Sequence, residues 1–384
     1  MEEWKKVKVS NLGHIVTGKT PKTSDMGNYG GNIPFLTPSD DMSVKYVRST
    51  NKTLTEKGLN EVRNCLLPPN AVCVSCIGSD LGKVVMTSKP TVTNQQINSI
   101  IVDNDCFDSD FIYYSMVILG KELNYISKTS TAVPIVNKST FSSYVVLCPT
   151  LETQKRIASI LNRIDDKIEI NRRINDNLEQ QATTLFKALF VDLAPFDGTM
   201  PPNWTISTLG DVTEMGAGGD KPKEFSPVKT PLCPYPIYSN GINDYGLYGY
   251  TNEPKIKVES VTVSARGTIG YVCLRHIPYV PIVRLVTLVP DTKMLSAKYL
   301  YLYLRLLHIT GTGTTQQQLT VPDFRKTEIV IPDKNTMDSF TETVTPLFER
   351  IWTNEDENTK LAEVRDALLP KLMSGEIDVS SVQL

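Results

Sequence analysis

Residues 157–189 read IASILNRIDDKIEINRRINDNLEQQATTLFKAL, and the spacing of their apolar positions decides the architecture. Ile157, Leu161, Ile164, Ile168, Asn171, Asn175, Leu178, Ala182, Leu185 and Leu189 follow one another in alternating steps of four and three. Such a sustained heptad predicts a long helix with one apolar seam. Adding 183 to each number gives Phe340, Val344, Leu347, Ile351, Asn354, Asn358, Leu361, Arg365, Leu368 and Leu372. The chain carries the same seam twice, with asparagine in the same two places.

Two helices with apolar stripes are marginal in water and should pack on each other. If the two halves are related by a pseudo-two-fold axis, the helices run antiparallel. Asn171 then faces Asn358 and Asn175 faces Asn354. The same register sets Ile168 against Leu361, Leu178 against Ile351, Leu161 against Leu368 and Leu185 against Val344. A slip of one heptad would bury each amide against Leu or Ile at about 1–3 kcal/mol. The alternative is that the asparagines face water at a loose point of the seam. Two residues depart from the pattern. Pro346 lies inside the second tract and should kink the helix or delay its start. Arg365 takes an apolar seam position, from which its charge should snorkel to the edge.

The duplication reaches beyond the helices. Trp4 and Leu12-Gly13 return as Trp204 and Leu209-Gly210. The stretch from Ser75 through Gly78 and Gly82 to Val84 is echoed from Ser264 through Gly267 and Gly270 to Val272. Residues 109–114 (SDFIYY) match 296–301 (SAKYLY), and Val145-Val-Leu-Cys-Pro149 matches Glu328-Ile-Val-Ile-Pro332. Each half opens with a Thr-, Val-, Tyr-, Gly- and Pro-rich segment that reads as strands and loops. The reading is an α+β chain: two β-rich domains over 1–149 and 196–333, separated by an antiparallel coiled coil. Its two long helices take 150–195 and 334–384, the latter with a C-terminal tail.

Composition narrows the function. With 384 residues and 40% hydrophobic content, each domain can bury a core. There is no run of 18 apolar residues and no apolar signal core at the N-terminus, so a cytoplasmic protein away from membranes is expected. Seven scattered cysteines fit a reducing compartment. Cys73 and Cys76 sit in an apolar run that reads as a strand, where residues three apart point to opposite faces. Only three histidines occur, none at ligand spacing, so no metal site is expected. The net charge of −2 divides into +2 for 1–150, −1 for 151–198, +2 for 199–333 and −5 for 334–384. That balance permits a nucleic-acid partner without demanding one.

One stretch points elsewhere. Residues 13–20, GHIVTGKT, satisfy the phosphate-binding pattern G-x-x-x-x-G-K-[ST]. A phosphate loop needs a buried strand before it and a helix opening after the Lys-Thr. Here the preceding residues are polar, and Pro21 biases Thr20 away from helix. The second half offers only Gly210, Gly216, Lys221 and Pro222 at the corresponding place, which reads as a Gly-rich loop with an exposed cation. The residues 201–204, PPNW, hold the adenine-methyltransferase loop only in scrambled order, and no methyl-donor loop or nuclease carboxylate set is evident. The chain reads as non-catalytic.

Several short motifs join this duplication: Gly18-Lys19-Thr20-Pro21, Thr93-Asn94-Gln95-Gln96, Glu152-Thr-Gln-Lys-Arg-Ile157, and Leu368-Leu-Pro-Lys-Leu-Met-Ser-Gly-Glu-Ile377. In their order and spacing they resemble the specificity (S) subunit of type I restriction-modification enzymes, over essentially the whole chain. The resemblance implies two target-recognition domains, each reading one half of a gapped, asymmetric double-stranded DNA target. It also implies two methyltransferase subunits, which carry S-adenosylmethionine, and restriction subunits, which use ATP and Mg; this chain would hold no cofactor itself. A helix of ~40 residues spans ~60 Å, against ~3.4 Å per base pair, so two readers can sit more than a helical turn apart.

DNA sequence is read by Arg, Lys, Asn, Gln, Ser and Thr on loops that enter a groove. The candidates in the first half are Lys19, Thr20, Tyr29, Ser39, Asp40, Ser79, Lys83, Asn94, Gln95 and Gln96, with the polar loop Lys128, Thr129, Ser130 and Thr131. In the second half they are Lys221, Lys223, Tyr238, Ser239, Asn240, Arg266, Thr268 and Arg284, with Thr314, Thr315, Gln316, Gln317 and Gln318. Alternatives stand beside them. Asn94–Gln96 either read bases or satisfy backbone groups at a strand end, and Tyr235, Tyr238, Tyr245, Tyr248 and Tyr250 either stack on bases or pack. Arg266 is favoured, because glycines crowd its turn and the first half has Ile77 or Gly78 there. Near-neutral charge predicts weak DNA binding by the chain alone. The rival readings are a stand-alone gapped-site DNA-binding protein and a protein-binding scaffold.

Overall fold

The computed structural model describes residues 4–129, 135–311 and 318–382. The chain divides into two compact units, Met1–Arg172 with Glu355–Leu384, and Arg173–Asn354. Each unit takes one β-rich segment together with part of both long helices.

In the first unit, an antiparallel four-stranded sheet has the spatial order Gly13–Thr17, Ile97–Val102, Val72–Ser75, Val84–Met86. A second sheet has the order Lys52–Leu54, Tyr29–Leu36, Thr91–Thr93, Leu66–Leu67, with Tyr29–Leu36 parallel to Thr91–Thr93. The central strand Val72–Ser75 is buried throughout, because both of its faces are covered. Val72, Val74 and Cys76 join a core with Phe111 and Met116 of the helix Ser109–Thr129. Cys73 joins a different core with Phe35, Leu54 and Val92 of the second sheet. The two cysteines of the C-x-x-C are thus on opposite faces, and burial pushes the Cys73 thiol up to about 12. Where the helix crosses the sheet, a turn comes very close: a Cβ on Gly82 (φ +88°) would lie 2.0 Å from the Gly120 carbonyl oxygen. Only glycine fits there.

The second unit repeats the plan. Its four-stranded sheet has the order Thr213–Ala217, Val286–Pro290, Ser260–Val263, Val272–Arg275. Its second sheet has the order Leu247–Thr251, Tyr235–Tyr238, Val280–Pro281, again with one parallel pair. Each unit also has a two-stranded antiparallel ribbon, Lys5–Lys8 with Val145–Cys148 and Thr205–Thr208 with Glu328–Ile331. The registers correspond, Lys5 pairing with Cys148 and Thr205 with Ile331. The 183-residue offset holds for the second strand of each ribbon, whereas the first strands lie 200 residues apart. The repeated topology is that of a duplicated α+β domain.

The long helices are Leu151–Phe186, continued by a π turn over Lys187–Val191, and Lys334–Met373. Asp333 caps the second: its carboxylate accepts from the Asn335 and Thr336 amides at 3.1 and 3.2 Å. Thr150, 183 residues earlier, sits at the start of the first, its Oγ1 3.2 Å from that of Thr153. The helix Lys334–Met373 passes through Pro346 without a break, so the proline does not delay the start.

In both units the helix segments pack antiparallel, and the amides pair. In the first unit Asn171, fully buried, donates to Asn358 Oδ1 at 3.0 Å and to Glu357 Oε2 at 2.8 Å. In the second Asn354, also fully buried, donates to Asn175 Oδ1 at 2.7 Å, and Asn175 donates to the Ile351 carbonyl at 3.2 Å. Ile157, Leu161, Ile168 and Val344 are buried; Ile164, Leu178, Leu347, Ile351, Leu361 and Leu368 are half-buried. Two expectations are corrected. Leu185 is exposed, and Phe186 beside it is 1% exposed; 183 residues on, half-buried Leu368 gives way to Leu369 at 1%. A straight helix drifts by ~20° per heptad against a 3.5-residue repeat, and here the drift carries the seam onto the next residue. Arg365 snorkels only in part: Nη2 and Nε reach the exposed Asp366 at 3.1 and 3.2 Å, while Nη1 turns inward and donates to the buried carboxylate of Asp165 at 2.9 Å.

Candidate nucleic-acid interface

In the first unit, three of the polar sequence motifs meet at one end of the sheet. The Gly18 amide donates to the Ile97 carbonyl at 3.1 Å and the Lys19 amide to the Thr93 carbonyl at 2.9 Å. Those bonds, and the strand Gly13–Thr17 before them, occupy amides a phosphate loop would need free. Among the described residues no helix opens behind Lys19. The P-loop letters therefore spell a strand and its turn. Thr20 Oγ1 meets Gln95 Oε1 at 2.6 Å, and the Cys76 amide donates to the Gln96 carbonyl at 2.8 Å. The Val136 amide bonds the Cys76 carbonyl at 2.8 Å, which brings Ile135 and Val136 to the same place. Exposed on these adjoining segments are Lys19, Ser79, Lys83 and Gln95, with Lys83 held by Asp80 at 2.7 Å.

Other candidates are spent on the fold. Asp40 is 5% exposed and accepts from the Thr37 and Asn51 amides at 2.7 and 2.6 Å, so it holds a turn. Asn94, 8% exposed, accepts from the Gln96 amide at 3.1 Å and donates to Gln96 Oε1 at 2.9 Å. Tyr29 donates to the Pro21 carbonyl at 3.0 Å and its ring packs on Phe35. Ser39 is exposed but hydrogen-bonded to Thr37 at 2.7 Å. Lys128 is exposed on the last turn of its helix. The side chain of Thr129, and Ser130 and Thr131, lie outside the described residues.

The second unit gathers Asn240, Arg266, Thr268, Arg284 and Gln318. Arg266 and Thr268 are exposed on the turn that follows Ser260–Val263, and the Arg266 guanidinium donates from Nε and Nη2 to Gln318 Oε1, both at 3.3 Å. The Leu319 amide bonds the Ala265 carbonyl at 3.0 Å, tying the chain after residue 317 to this turn. Arg284 is exposed, and both it (φ 59°) and Val283 (φ 53°) have left-handed backbone. That conformation is unfavourable for a β-branched residue and costs on the order of 1–3 kcal/mol per residue. Lys221 lies 4.3 Å from the Phe225 ring centroid, and Lys223 is exposed. Thr314, Thr315, Gln316 and Gln317 lie outside the described residues.

Tyr238 is packing, not a base-stacking ring: it meets Tyr279 edge-on at 5.6 Å, and burial raises its phenol pKa. Ser239 is half-buried, its amide bonded to the Gly246 carbonyl at 2.8 Å. Arg275, which sequence reasoning missed, stacks on Tyr238 at 3.6 Å and donates to Thr262 Oγ1 at 2.9 Å and the Tyr245 carbonyl at 2.7 Å. It supports a tip on which Tyr245 and Tyr248 are exposed, with Asp244 and Tyr245 both left-handed. Its position at the end of the buried strand Val272–Arg275 was the available signal.

Strand pairing also fixes which residues are equivalent between the units. The Gly18 amide bonds the Ile97 carbonyl as the Gly218 amide bonds that of Leu285, at 3.1 and 2.8 Å. Lys19 therefore corresponds to Gly219, not to Lys221. The parallel pairs Phe35 with Val92 and Ile237 with Val280 carry the same correspondence onward, matching Gln95-Gln96 to Val283-Arg284. Equivalent loops bear different side chains.

The fold defines a class of protein: a duplicated α+β domain with paired long helices. Among the described residues no cluster of three His, Cys, Asp or Glu could hold a metal ion. No helix of the described residues is long and apolar enough to cross a membrane. The chain belongs to the type I restriction modification DNA specificity domain family, whose sequence model matches residues 1–180 and 201–363. It is 28% identical over 423 aligned positions to the type I restriction enzyme MjaIX specificity subunit of Methanocaldococcus jannaschii, covering 99% of this chain and 95% of that one. It is 36% identical over 180 positions to the HindI specificity subunit of Haemophilus influenzae, covering 45% and 39%. The crystal structure of a type I S subunit from M. genitalium superposes with a TM-score of 0.53 at 17% identity, covering 97% and 96%; that likeness concerns the fold.

Proposed function

We propose that this chain is the DNA-recognition subunit of a type I restriction-modification system, in which each unit reads one half of a gapped, asymmetric target. The carrying observation is that two units of one topology present different side chains at equivalent loop positions, Gln95-Gln96 in one and Val283-Arg284 in the other. Side chains with fixed donor and acceptor patterns at such positions discriminate base edges. Lys19, Lys83 and Lys223, as exposed cations, suit phosphates, which set register without carrying sequence.

The chain has no reactive chemistry of its own in this reading. Two methyltransferase subunits supply S-adenosylmethionine and methyl transfer, restriction subunits supply ATP- and Mg-dependent cleavage, and the whole works in the cytoplasm on double-stranded DNA. With a net charge of −2, the chain alone binds DNA weakly, and affinity arises when partner subunits add phosphate contacts.

Arg266→Ala tests the reading. Selection of duplexes by the assembled complex is expected to show relaxed preference at a position of one half-site, with the other half-site unchanged. A uniform loss on all sequences would make Arg266 a phosphate anchor instead.

A further inference from the structure

The side chain of Asn240 touches two loops at once. Its Oδ1 accepts from the Ala265 amide at 2.8 Å, and its Nδ2 donates to the Val283 carbonyl at 2.6 Å. Each of those residues immediately precedes an exposed arginine, Arg266 and Arg284. The backbone of Asn240 adds a third tie, its carbonyl accepting from Ser264 Oγ at 3.3 Å. Both turns need such restraint. Val283 and Arg284 are held left-handed, with their amides bonded to the Gly219 and Gly218 carbonyls at 2.8 Å. The Arg266 turn rests on Gly267 and Gly270, also at positive φ. The left-handed backbone of Val283 and Arg284 is strained and persists only where its surroundings over-determine it, whereas the glycines leave the Arg266 turn unstrained but free to move unless tied.

The arginines themselves point to a ligand chemistry. Gln318 Oε1 accepts from Nε and Nη2 of Arg266. That engages the Nε–Nη2 edge of an exposed guanidinium and leaves its Nη1–Nη2 edge outside this contact. A guanidinium edge presents two parallel donors, which match the O6 and N7 acceptors of guanine in the major groove and no other base. At the place equivalent to Arg284 the first unit has Gln96, whose side-chain oxygen already accepts from Asn94 at 2.9 Å, so the paired-arginine arrangement belongs to the second unit.

We infer that Asn240 is a positioning residue that fixes Arg266 and Arg284 as a pair of guanine readers, so that the half-site of the second unit contains two guanines. This rests on the DNA-reading role proposed above. Asn240 need not touch DNA; it acts through the two turns.

The test uses the full-length chain purified with the subunits bound to it and a duplex library of randomised sequence. The wild type is expected to select two blocks, one with two guanine positions, each preferred over other bases by roughly 5- to 150-fold. Arg266→Ala and Arg284→Ala should each erase the preference at one of them. Asn240→Ala should erase both and leave the other block intact, which also shows that the protein is folded. Asn240→Asp keeps the acceptor for Ala265 and loses the donor to Val283, so it should erase the Arg284 position alone. A block without guanine, an unchanged guanine preference in Asn240→Ala, or a loss spread over both blocks would overturn the inference. Absence of any selected sequence with the wild type would instead remove the DNA-reading role itself.

Discussion

Replacing Phe186 by alanine is expected to destabilise the protein by about 3–5 kcal/mol, the cost of deleting a buried aromatic ring. Phe186 is 1% exposed and sits among Phe190, Tyr299 and Phe340 at ring-centroid distances of 5.2, 5.2 and 6.0 Å. Little space exists for collapse, since Phe190 is itself packed on Trp204 and Phe340 at 5.6 and 5.0 Å. The neighbouring substitution, Leu185→Ala, is expected to cost less than about 1 kcal/mol, because that side chain is 37% exposed. Urea unfolding of the two variants measures the contrast. A larger loss for Leu185→Ala would restore the strict heptad as the buried seam.

The second large effect concerns a charge. Asp165 has a side chain 8% exposed, and it accepts from Arg365 Nη1 at 2.9 Å and from the Tyr114 hydroxyl at 2.7 Å. Removing one member of a buried ion pair costs about 3–5 kcal/mol, because the other is left uncompensated. Arg365 is 27% exposed and keeps a second carboxylate, Asp366 Oδ1, at 3.1 Å from Nη2, so its charge is not left bare. About 2–3 kcal/mol is expected for Asp165→Ala, with Tyr114 also losing an acceptor. The repeat indicates what replaces the pair. Under the 183-residue offset Asp165 and Arg365 correspond to Phe348 and Ala182, which are 3% and 0% exposed in the core of the second unit. An apolar pair therefore satisfies the same position. The double variant Asp165→Leu with Arg365→Met should fall within about 1 kcal/mol of the wild type. Tyr114 keeps an acceptor in that variant, Asn162 Oδ1 at 3.0 Å. A double variant as unstable as Asp165→Ala would show that the network as a whole, rather than charge compensation, holds the position.

Much of this architecture was legible in the sequence because it is periodic. Steps of four and three give a helix, and one offset reproduces both the seam and its asparagines. The paired amides, Asn171 with Asn358 and Asn175 with Asn354, follow from requiring that each buried amide have a partner. The reading failed where periodicity ends. A strict heptad placed Leu185 in the seam, whereas the real helix drifts and enters an aromatic core through Phe186 and Phe190. Arg365 was given to solvent because its partner, Asp165, lay in the other helix and outside the seam pattern.

The loops were harder, for a chemical reason. Asp, Asn and Ser side chains bond nearby backbone as readily as they bond a ligand. Asp40, Asn94 and Asn240 all appeared as DNA candidates on residue type, and all three are engaged with backbone groups. Arginine and lysine are less ambiguous at a loop tip, and Lys19, Arg266 and Arg284 are exposed there. Arg275 reverses the lesson: an arginine ending an apolar strand is 5% exposed and supports the tip from below. Loop length hid one correspondence. Lys19 and Lys221 align by residue type, but Gly18 and Gly218 occupy equivalent places in their own ladders, bonded to Ile97 and Leu285, and so Lys19 corresponds to Gly219.

The most direct measurement is the sequence content of the duplexes retained from a random library by this chain with its bound subunits. Two unlike blocks at a fixed spacing, with unread bases between them, are the predicted result. A single uninterrupted block, two copies of the same block, or retention without regard to sequence would contradict a chain built of two differently equipped readers.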